Sequence, residues 1–286
     1  MPLVKSKEIY RHGEMEGYVA PGFDSYCLEV VQAQVIAANA ENSPFLLQVT
    51  PKGLRHIGID YFTGLAKALI QESRVPVALH LDHGTCLGEV VDCIKRGFTS
   101  VMIDGSALPF ERNVELTRRV VEIAHSVDVT VEAELGRVLG KEADKEVKEG
   151  EETFTDPAEA EEFVKRTGVD SLAVSVGNVH GFYREEPSID FPRLSKIYDC
   201  VGVPLVFHGG SGLGRQIVQK ACGLGVRKIN IGTLIKNAFT RGVREYIAMH
   251  PEEIDPRIVL GNAREAVVIE LRSVIHIFGA SGRNWI

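Results

Sequence analysis

The chain has 286 residues, of which 44% are hydrophobic, and it carries a formal net charge of −7. This length and composition allow one large hydrophobic core, and we predict a single domain that spans residues 1–286. An acidic chain without a basic stripe interleaved with aromatic residues argues against a nucleic-acid-binding protein. The expected partners are therefore small molecules.

The five cysteines are scattered without a Cys-x-x-Cys pair. This pattern argues against a disulfide framework and indicates a reducing compartment. The first residues are not followed by the apolar run of a signal peptide, and no stretch approaches the ~18 uncharged apolar residues of a membrane span. We therefore expect a cytoplasmic protein without a membrane partner.

Short β-branched segments recur along the chain, and longer amphipathic segments separate them. The predicted strands are residues 17–20, 44–49, 75–81, 100–104, 129–135, 171–176, 203–208 and 227–232. Segments with helical periodicity lie between them, for example 28–41, 87–96, 110–127, 156–166 and 215–224. Because parallel strands need such crossovers, this repeat predicts the α/β class and a TIM (β/α)8 barrel. A doubly wound open sheet is the alternative, but no Gly-x-Gly-x-x-Gly motif follows the first strand.

Two regions exceed a minimal barrel. Residues 136–154 form a long, highly charged segment between the fifth strand and its helix, and we expect it to act as a mobile lid over the active face. After the eighth strand, the chain continues through 238–249, a turn at 251–256 and a helix at 263–277. These extra C-terminal helices are expected to decorate the barrel or to form the contact of a homodimer or homotetramer.

Three histidines, His83, His180 and His208, each follow a short apolar run and directly precede a glycine. The carboxyl ends of parallel strands are where α/β proteins place their sites, so the three imidazoles are expected to meet. Three neutral imidazoles leave a coordination position of a zinc ion open, as in catalytic zinc sites. Each histidine alone could be an ordinary hydrogen-bonded residue, but the shared pattern favours a metal site.

Carboxylates accompany the histidines at the predicted strand ends. Asp82 lies beside His83 and is a candidate for proton transfer, although neighbouring residues share one face only where the strand has frayed. Asp104 and Glu134 end the next two strands and are candidates for metal ligands or a second ion. Glu132 lies deeper on the same face, where a buried partner of another charge is an equal alternative.

The last two strand ends carry glycine-rich turns, Gly209-Gly210-Ser211-Gly212 and Asn230-Ile231-Gly232-Thr233. Backbone N–H groups of such turns bind anions, and the loops after strands seven and eight commonly bind phosphate in TIM barrels. A metal, a phosphate site and a nearby carboxylate indicate chemistry on a phosphorylated carbonyl compound, in which the metal polarises the carbonyl and stabilises an enediolate.

Five motifs occur in order along the chain: His80-Leu-Asp-His-Gly84, Glu132-Ala-Glu-Leu-Gly136, Gly177-Asn-Val-His-Gly181, His208-Gly-Gly-Ser-Gly212 and Lys228-Ile-Asn-Ile-Gly-Thr233. This combination resembles the class II, metal-dependent fructose-bisphosphate and tagatose-bisphosphate aldolases, and the resemblance covers nearly the whole chain. It implies reversible cleavage of a phosphorylated ketose to dihydroxyacetone phosphate and an aldehyde.

The resemblance also implies roles for individual residues. His83, His180 and His208 would hold the catalytic zinc, with Asp104 and Glu134 offering an alternative position for a second divalent ion. Asp82 would transfer the proton at the cleaved bond, and Glu142 on the mobile segment would donate to the enediolate carbon. Contacts to phosphate and ketose would come from Gly181, Gly209, Ser211, Asn230 and Thr233, with a monovalent cation, Na⁺ or K⁺, nearby and Lys236 at the distal phosphate.

Several positions depart from the family pattern. The departures are Asp24 for a usual Asn, Thr50 for a frequent Ser, Asn178 for a frequent Thr or Ser, and Leu234 for a usual acidic residue. At position 232, fructose-specific members often carry an acidic or amide residue and tagatose-type members a small one, and this chain has Gly232. A tagatose-type or other phosphorylated keto sugar is therefore expected in preference to fructose 1,6-bisphosphate.

Three other functions compete with this interpretation. A metallohydrolase on the same barrel would be expected to carry a His-x-His motif on an early strand, which is absent. A catalytically silent barrel that stabilises a partner aldolase is disfavoured by the zinc histidines and Asp82. A Schiff-base aldolase needs a lysine near the carboxyl end of a strand, whereas Lys228 lies at the beginning of strand eight.

Overall fold

The structure is a computed structural model that describes residues 2–142, 145–183 and 186–286, and the side chains of residues 141, 142 and 145 are outside this description. The strands are β1 (Ala20–Asp24), β2 (Phe45–Val49), β3 (Val77–Gly84), β4 (Ser100–Ile103), β5 (Thr130–Leu135), β6 (Gly140–Glu142), β7 (Lys145–Val147), β8 (Ser171–Val174), β9 (Leu205–Phe207) and β10 (Val226–Ile231). The helices are α1 (Ser6–Glu16), α2 (Leu28–Glu41), α3 (Pro51–Ile57), α4 (Ile59–Glu72), α5 (Leu87–Lys95), α6 (Phe110–Ser126), α7 (Pro157–Thr167), α8 (Phe191–Val201), α9 (Arg215–Gly223), α10 (Thr233–Met249) and α11 (Pro256–Ile277).

Eight of the strands close into a barrel. The order is β1-β10-β9-β8-β5-β4-β3-β2, and β1 pairs in parallel with both β2 and β10. The remaining strands, β6 and β7, form a separate antiparallel pair. The predicted TIM barrel is confirmed, and closure through β1 excludes the open sheet.

The two faces of the barrel strands differ in chemistry. Apolar strand residues such as Leu47, Leu79 and Val131 are fully buried and belong to the main hydrophobic core. Polar side chains at alternate positions, among them His80, Glu132 and Lys228, are equally buried and contact one another across the barrel. Because side chains alternate between faces along a strand, the sequence places an apolar layer outside and a polar network inside.

The first strand was predicted too early in the chain. It spans Ala20–Asp24 rather than residues 17–20, although it contains a proline and a glycine. Tyr18 and Val19 are buried at its entrance, so their β-branched and aromatic character reflects burial rather than strand pairing. The shift places Asp24 at the carboxyl end of β1, on the side of the barrel where TIM barrels carry their active sites.

The C-terminal helices begin earlier than predicted and cover the outside of the barrel. Helix α10 starts at Thr233, directly after β10, and α11 starts at Pro256, where proline suits the first helical turn. Helix α11 packs against α10 and α2. Glu41 on α2 contacts two residues of α11: its carboxylate accepts from Arg272 Nε at 2.7 Å and lies 2.9 Å from His276 Nε2. No helix in the described parts of the chain is long and apolar enough to span a membrane.

Candidate active site

A backbone irregularity in β3 brings Asp82 and His83 to the same site. The pairing of β3 with β4 shifts register between Leu81 and Gly84, and His83 has a left-handed φ of 49°. The strand therefore continues to Gly84 and contains a bulge, instead of fraying at Asp82 as predicted. The bulge has the expected effect, since the side chains of Asp82 and His83 both face the interior. A non-glycine residue in this conformation costs about 1–3 kcal/mol, which is typical of functional sites.

Hydrogen bonds define the proton positions on two of the histidines. Asp104 Oδ2 lies 2.8 Å from His83 Nδ1, and Glu132 Oε1 lies 3.1 Å from His208 Nε2. Ionised carboxylates only accept hydrogen bonds, so these two ring nitrogens carry the protons. The lone pairs are therefore on His83 Nε2 and His208 Nδ1, which face each other at 2.9 Å.

This facing pair of nitrogens fits a metal ion. Two lone pairs at such a distance repel each other, whereas tetrahedral zinc with bonds of about 2.0–2.1 Å would hold two ligand nitrogens about 3.3 Å apart. Ligand nitrogens of His83, His180 and His208 all lie within 4.8 Å of one another. Burial and the neighbouring His83 lower the pKa of His208, which favours the neutral imidazole that a metal requires. The three predicted histidines are thus brought together in a form suited to zinc.

Asp104 and Glu134 lie near the other ring nitrogen of His83, with Asp104 Oδ2 2.8 Å and Glu134 Oε2 3.9 Å from Nδ1. With His83 they form a second group whose ligand atoms lie within 4.8 Å of one another, beside a cavity of about 20 Å³. This volume exceeds the ~10–15 Å³ that a water molecule needs. Glu134 Oε2 is also 3.5 Å from His208 Nδ1. The geometry suits either an alternative ion position or, for Asp104, the orientation of the His83 ring.

Asp82 is fully buried next to the three histidines. Its Oδ1 accepts from Asn230 Nδ2 at 2.9 Å, whereas Oδ2 has no hydrogen-bond partner among the described residues. Oδ2 lies 3.9 Å from His83 Nε2. One carboxylate oxygen is therefore held in place while the other is directed toward the lone pair of His83.

The predicted substrate-binding residues line one small cavity beside His180. Its lining includes all six of them: Gly181, Gly209, Ser211, Asn230, Thr233 and Lys236. Gly209 has a φ of 73° and approaches Val179 so closely that a Cβ would lie 2.0 Å from the Val179 oxygen. Thr233 opens α10, so this cavity also faces a helix N-terminus, where N–H groups favour an anion.

The charged segment 136–154 contains the antiparallel pair β6 and β7. Its base is fixed because Arg137 pairs with Thr153, and Leu139 O accepts from His180 N at 2.7 Å. A cavity of about 750 Å³ opens between this segment and the loop after β8, with His180 in its wall. The backbone of Glu142 lies in β6, but its side chain is outside the described residues, so the structure does not place its carboxylate.

The space beside Gly232 is not empty. A Cβ at this position would lie 2.4 Å from Asp24 Oδ2 and 2.9 Å from the Tyr26 hydroxyl. The Asp24 carboxylate is buried and accepts from Gln48 Nε2 at 2.8 Å and from Tyr26 at 2.9 Å. There is therefore no side chain at the residue that follows β10, but Asp24 at the end of β1 supplies a carboxylate to the same place.

Two of the other departures have structural roles. Thr50 caps α3, since its hydroxyl accepts from Gly53 N at 3.2 Å. Asn178 Nδ2 donates to His208 O at 3.0 Å, while its Oδ1 accepts from Val176 N at 2.9 Å. Asn178 thus ties the loop that carries His180 to the end of β9. Nothing in the structure explains Leu234.

Sequence reasoning missed the contacts of His80 and Lys228. Lys228 Nζ donates to both oxygens of Glu132, at 2.9 and 3.0 Å, and to His80 Nε2 at 3.2 Å. Burial raises the pKa of Glu132, but Lys228, His208 and His80 outweigh this effect and hold it well below its usual range. Lys228 Nζ is thus engaged by Glu132 and His80, which argues against Schiff-base chemistry at this lysine. The sequence offered Glu132 as a possible buried partner of another charge, and the structure shows that partner to be Lys228.

The fold and the site together define a TIM-barrel protein with a candidate metal centre and an anion cavity at the carboxyl ends of its strands. The family model described as fructose-bisphosphate aldolase class II matches residues 4–283. The chain belongs to the class II fructose-bisphosphate aldolase family.

Solved structures agree with this assignment. The YdjI aldolase from Escherichia coli K12 is 30% identical to this chain, with a TM-score of 0.87 and coverage of 99% of this chain and 100% of that one. The fructose-bisphosphate aldolase of Campylobacter jejuni is 25% identical, with a TM-score of 0.81 and coverage of 99% and 97%.

Proposed function

We propose that this protein is a zinc-dependent aldolase that reversibly cleaves a phosphorylated ketose to dihydroxyacetone phosphate and an aldehyde. The observation that carries the proposal is the facing pair of imidazole nitrogens, His83 Nε2 and His208 Nδ1, at 2.9 Å with His180 as a third imidazole. Membership of the class II aldolase family supports the reaction type.

The three histidines would hold the zinc ion, and Asp104 with Glu134 would provide an alternative position for a second divalent ion. Zinc bound there would polarise the ketose carbonyl and stabilise the charge that develops as the carbon–carbon bond breaks. The protons on His83 Nδ1 and His208 Nε2 are held by carboxylates, which fixes the ring orientation before a ligand arrives.

Asp82 would move the proton at the cleaved bond. Its Oδ1 is held by Asn230, and its buried Oδ2 is directed toward the metal-binding nitrogen of His83. An oxygen in this position can take the proton from a substrate hydroxyl during cleavage and return it during condensation. Glu142 would exchange the proton at the carbon of dihydroxyacetone phosphate when residues 136–154 cover the site.

The substrate would bind through its phosphate in the cavity lined by Gly181, Gly209, Ser211 and Thr233, with Asn230 nearby and a monovalent cation, Na⁺ or K⁺, close to the anion. Lys236, predicted for the distal phosphate, lines the same cavity, and this position favours a contact with the phosphate bound there. Ser211 also accepts from Leu234 N at 3.1 Å, which fixes its loop against the start of α10.

A tagatose-type bisphosphate or another phosphorylated keto sugar would be preferred over fructose 1,6-bisphosphate. The support for this preference is the altered sugar side of the cavity, where Gly232 has no side chain and the Asp24 carboxylate fills the space. A carboxylate that already accepts two hydrogen bonds offers a different pattern to sugar hydroxyls than an amide, so discrimination between stereoisomers would change.

The protein would act as a homodimer or homotetramer. Support comes from large apolar side chains on the surface of the C-terminal region, since Ile254 is 92% exposed and Ile269 is 69% exposed. Sedimentation of the purified protein would test the oligomeric state.

The decisive experiment combines metal replacement with a substrate panel. Chelator-treated protein should lose aldol cleavage, and zinc or cobalt should restore it. The zinc-loaded protein is then offered dihydroxyacetone phosphate with phosphorylated and unphosphorylated aldehydes, and kcat/KM is compared between the aldehydes.

Full activity without metal would refute the zinc mechanism, and hydrolysis without aldol cleavage would indicate a hydrolase. Metal binding without turnover on any aldehyde would indicate a non-catalytic barrel. Preference for glyceraldehyde 3-phosphate with fructose 1,6-bisphosphate as the main product would overturn only the specificity.

A further inference from the structure

A chain of buried polar contacts connects Lys228 to a histidine of the candidate zinc site. Lys228 is fully buried, and its ammonium lies 2.9 and 3.0 Å from the two oxygens of Glu132. Glu132 Oε1 in turn accepts from His208 Nε2 at 3.1 Å. Lys228 thus connects to His208 through one carboxylate. Its backbone lies on β10, two residues before Asn230.

The position of the Lys228 ammonium is fully determined. An ammonium has three N–H donors and no acceptor, and here they point to Glu132 Oε1, Glu132 Oε2 and His80 Nε2. His80 is held from its other side, since its Nδ1 lies 2.8 Å from Ser100 Oγ, which lies 2.9 Å from Ser6 Oγ. The ammonium is therefore fixed by a network that extends to the start of α1.

This network fixes the carboxylate that orients His208. Glu132 is only 1% exposed, so water does not compete for its oxygens, and a buried carboxylate without its counter-ion is strongly unfavourable. With both oxygens held by Lys228, Glu132 Oε1 has one position from which to accept the His208 N–H. That contact keeps the lone pair of His208 Nδ1 directed at His83 Nε2, 2.9 Å away.

We propose that Lys228 is a positioning residue for metal binding, which acts through Glu132 to fix the tautomer and the ring orientation of His208. Lys228 does not contact the metal ligand atoms, and its ammonium lies 3.9 Å from Asp82 Oδ1. Its role is to hold the Glu132 carboxylate beneath the site in the orientation that a zinc-binding imidazole needs. The inference rests on the zinc site of the proposed function.

The test measures zinc affinity by competition with a chelator, and ligand geometry by the visible spectrum of the cobalt-substituted protein. Lys228→Met and Glu132→Leu should each raise the zinc dissociation constant about 10–100-fold, the usual effect of losing a residue that orients a metal-bound histidine. The double variant Lys228→Met/Glu132→Leu should lose no more than the worse single variant, because both act through the same contact. The cobalt spectrum should change in all three.

Arg227→Met is the matched control. Arg227 is a neighbouring buried cation on the same strand, and its guanidinium donates to Cys222 O at 2.7 Å and Val226 O at 3.0 Å, away from the site. This variant should keep the wild-type zinc affinity and cobalt spectrum, whatever its stability. An equal loss of zinc affinity in Arg227→Met would overturn the proposal, because the effect would then not be specific to Lys228.

If Lys228→Met does not fold, Lys228→Met/Glu132→Gln decides the question, because it leaves neither partner with an unpaired charge. The amide that replaces the Glu132 carboxylate can still accept the His208 N–H, but of the contacts that hold it only the long one from the Tyr10 hydroxyl, 3.5 Å, remains, so zinc affinity should again fall about 10–100-fold. Wild-type affinity and spectrum in a folded variant without Lys228 would refute the positioning role. Failure of the proposed function is recognised separately with His180→Ala in the otherwise wild-type chain. If the three histidines do not hold zinc, this variant binds zinc as tightly as the wild type.

Discussion

The carboxylate of Asp24 occupies the space that a side chain at position 232 would need. A Cβ on Gly232 would lie 2.4 Å from Asp24 Oδ2, and that carboxylate is fixed by hydrogen bonds from Gln48 and Tyr26. Asp24 ends β1 and Gly232 directly follows the neighbouring strand β10, so the two positions are coupled by volume. The acidic group beside the anion cavity comes from β1 in this protein.

Gly232→Ala should destabilise the fold by about 1–3 kcal/mol, the usual cost of overpacking a well-filled site. Urea denaturation, which gives the free energy of unfolding, would measure this loss. Gly214→Ala is the control, because a Cβ there meets nothing within 4 Å. Asp24→Ala should relieve the cost of Gly232→Ala. Equal stability of the two glycine-to-alanine variants would show that Asp24 moves aside freely.

Asp82→Asn should retain zinc but lower turnover by about two to four orders of magnitude, the usual contribution of a positioned general acid or base. Steady-state cleavage rates and metal content would be measured on the same samples. Asp104→Ala should instead weaken zinc binding, because Asp104 accepts the His83 N–H at 2.8 Å. If Asp82→Asn loses zinc and shows no separate catalytic defect, Asp82 is an orienting residue instead.

Glu142→Ala should slow the exchange of the dihydroxyacetone phosphate proton with solvent and leave the metal content unchanged. The reason is that Glu142 is proposed to act on the substrate carbon and not on the metal. Proton exchange followed by NMR is the measurement, and Glu151→Ala, at an exposed glutamate of the same charged segment, is the control. Unaltered exchange in Glu142→Ala would remove this residue from the mechanism.

The metal-free protein should lose stability as the pH falls below about 6.5, the ordinary pKa of histidine. Burial and the nearby Lys228 hold the pKa of His80 well below that value, and burial also lowers the pKa of His208. A base with a depressed pKa binds its proton more readily in the unfolded chain. Its contribution to stability is therefore present above pH ~6.5 and lost as the pH decreases.

The slope of unfolding free energy against pH should reach up to about 1.4 kcal/mol per pH unit for each such histidine. His80→Asn should reduce the slope. Stability that stays constant between about pH 7.5 and 5.5, a range that spans roughly one unit on either side of the ordinary histidine pKa, would contradict the assignment of neutral, buried imidazoles.

The barrel itself was predictable because its signals are local. Strand positions follow from short β-branched runs, and helix positions from apolar periodicity, so α2 was predicted with the bounds it has in the structure and seven strands within a few residues. The exception is β1, which contains a Pro-Gly pair, a sequence that does not normally indicate a strand. It is a strand because β2 and β10 pair with it on both sides. Its existence depends on closure, which is a property of the whole sheet.

The sequence by itself determined which residues meet at the carboxyl end of the barrel, because parallel strands of known direction deliver their ends to one place. We could predict without the structure that His83, His180, His208 and the glycine-rich turns lie at this end. The tertiary structure alone decided what those residues contact from opposite sides of the barrel. Lys228 lies far from Glu132 along the chain, and so does Asp24 from Gly232, so no local pattern links either pair. The contact of Lys228 with Glu132 depends on the diameter of the closed barrel, and that of Asp24 with Gly232 depends on the pairing of β1 with β10 that closes it.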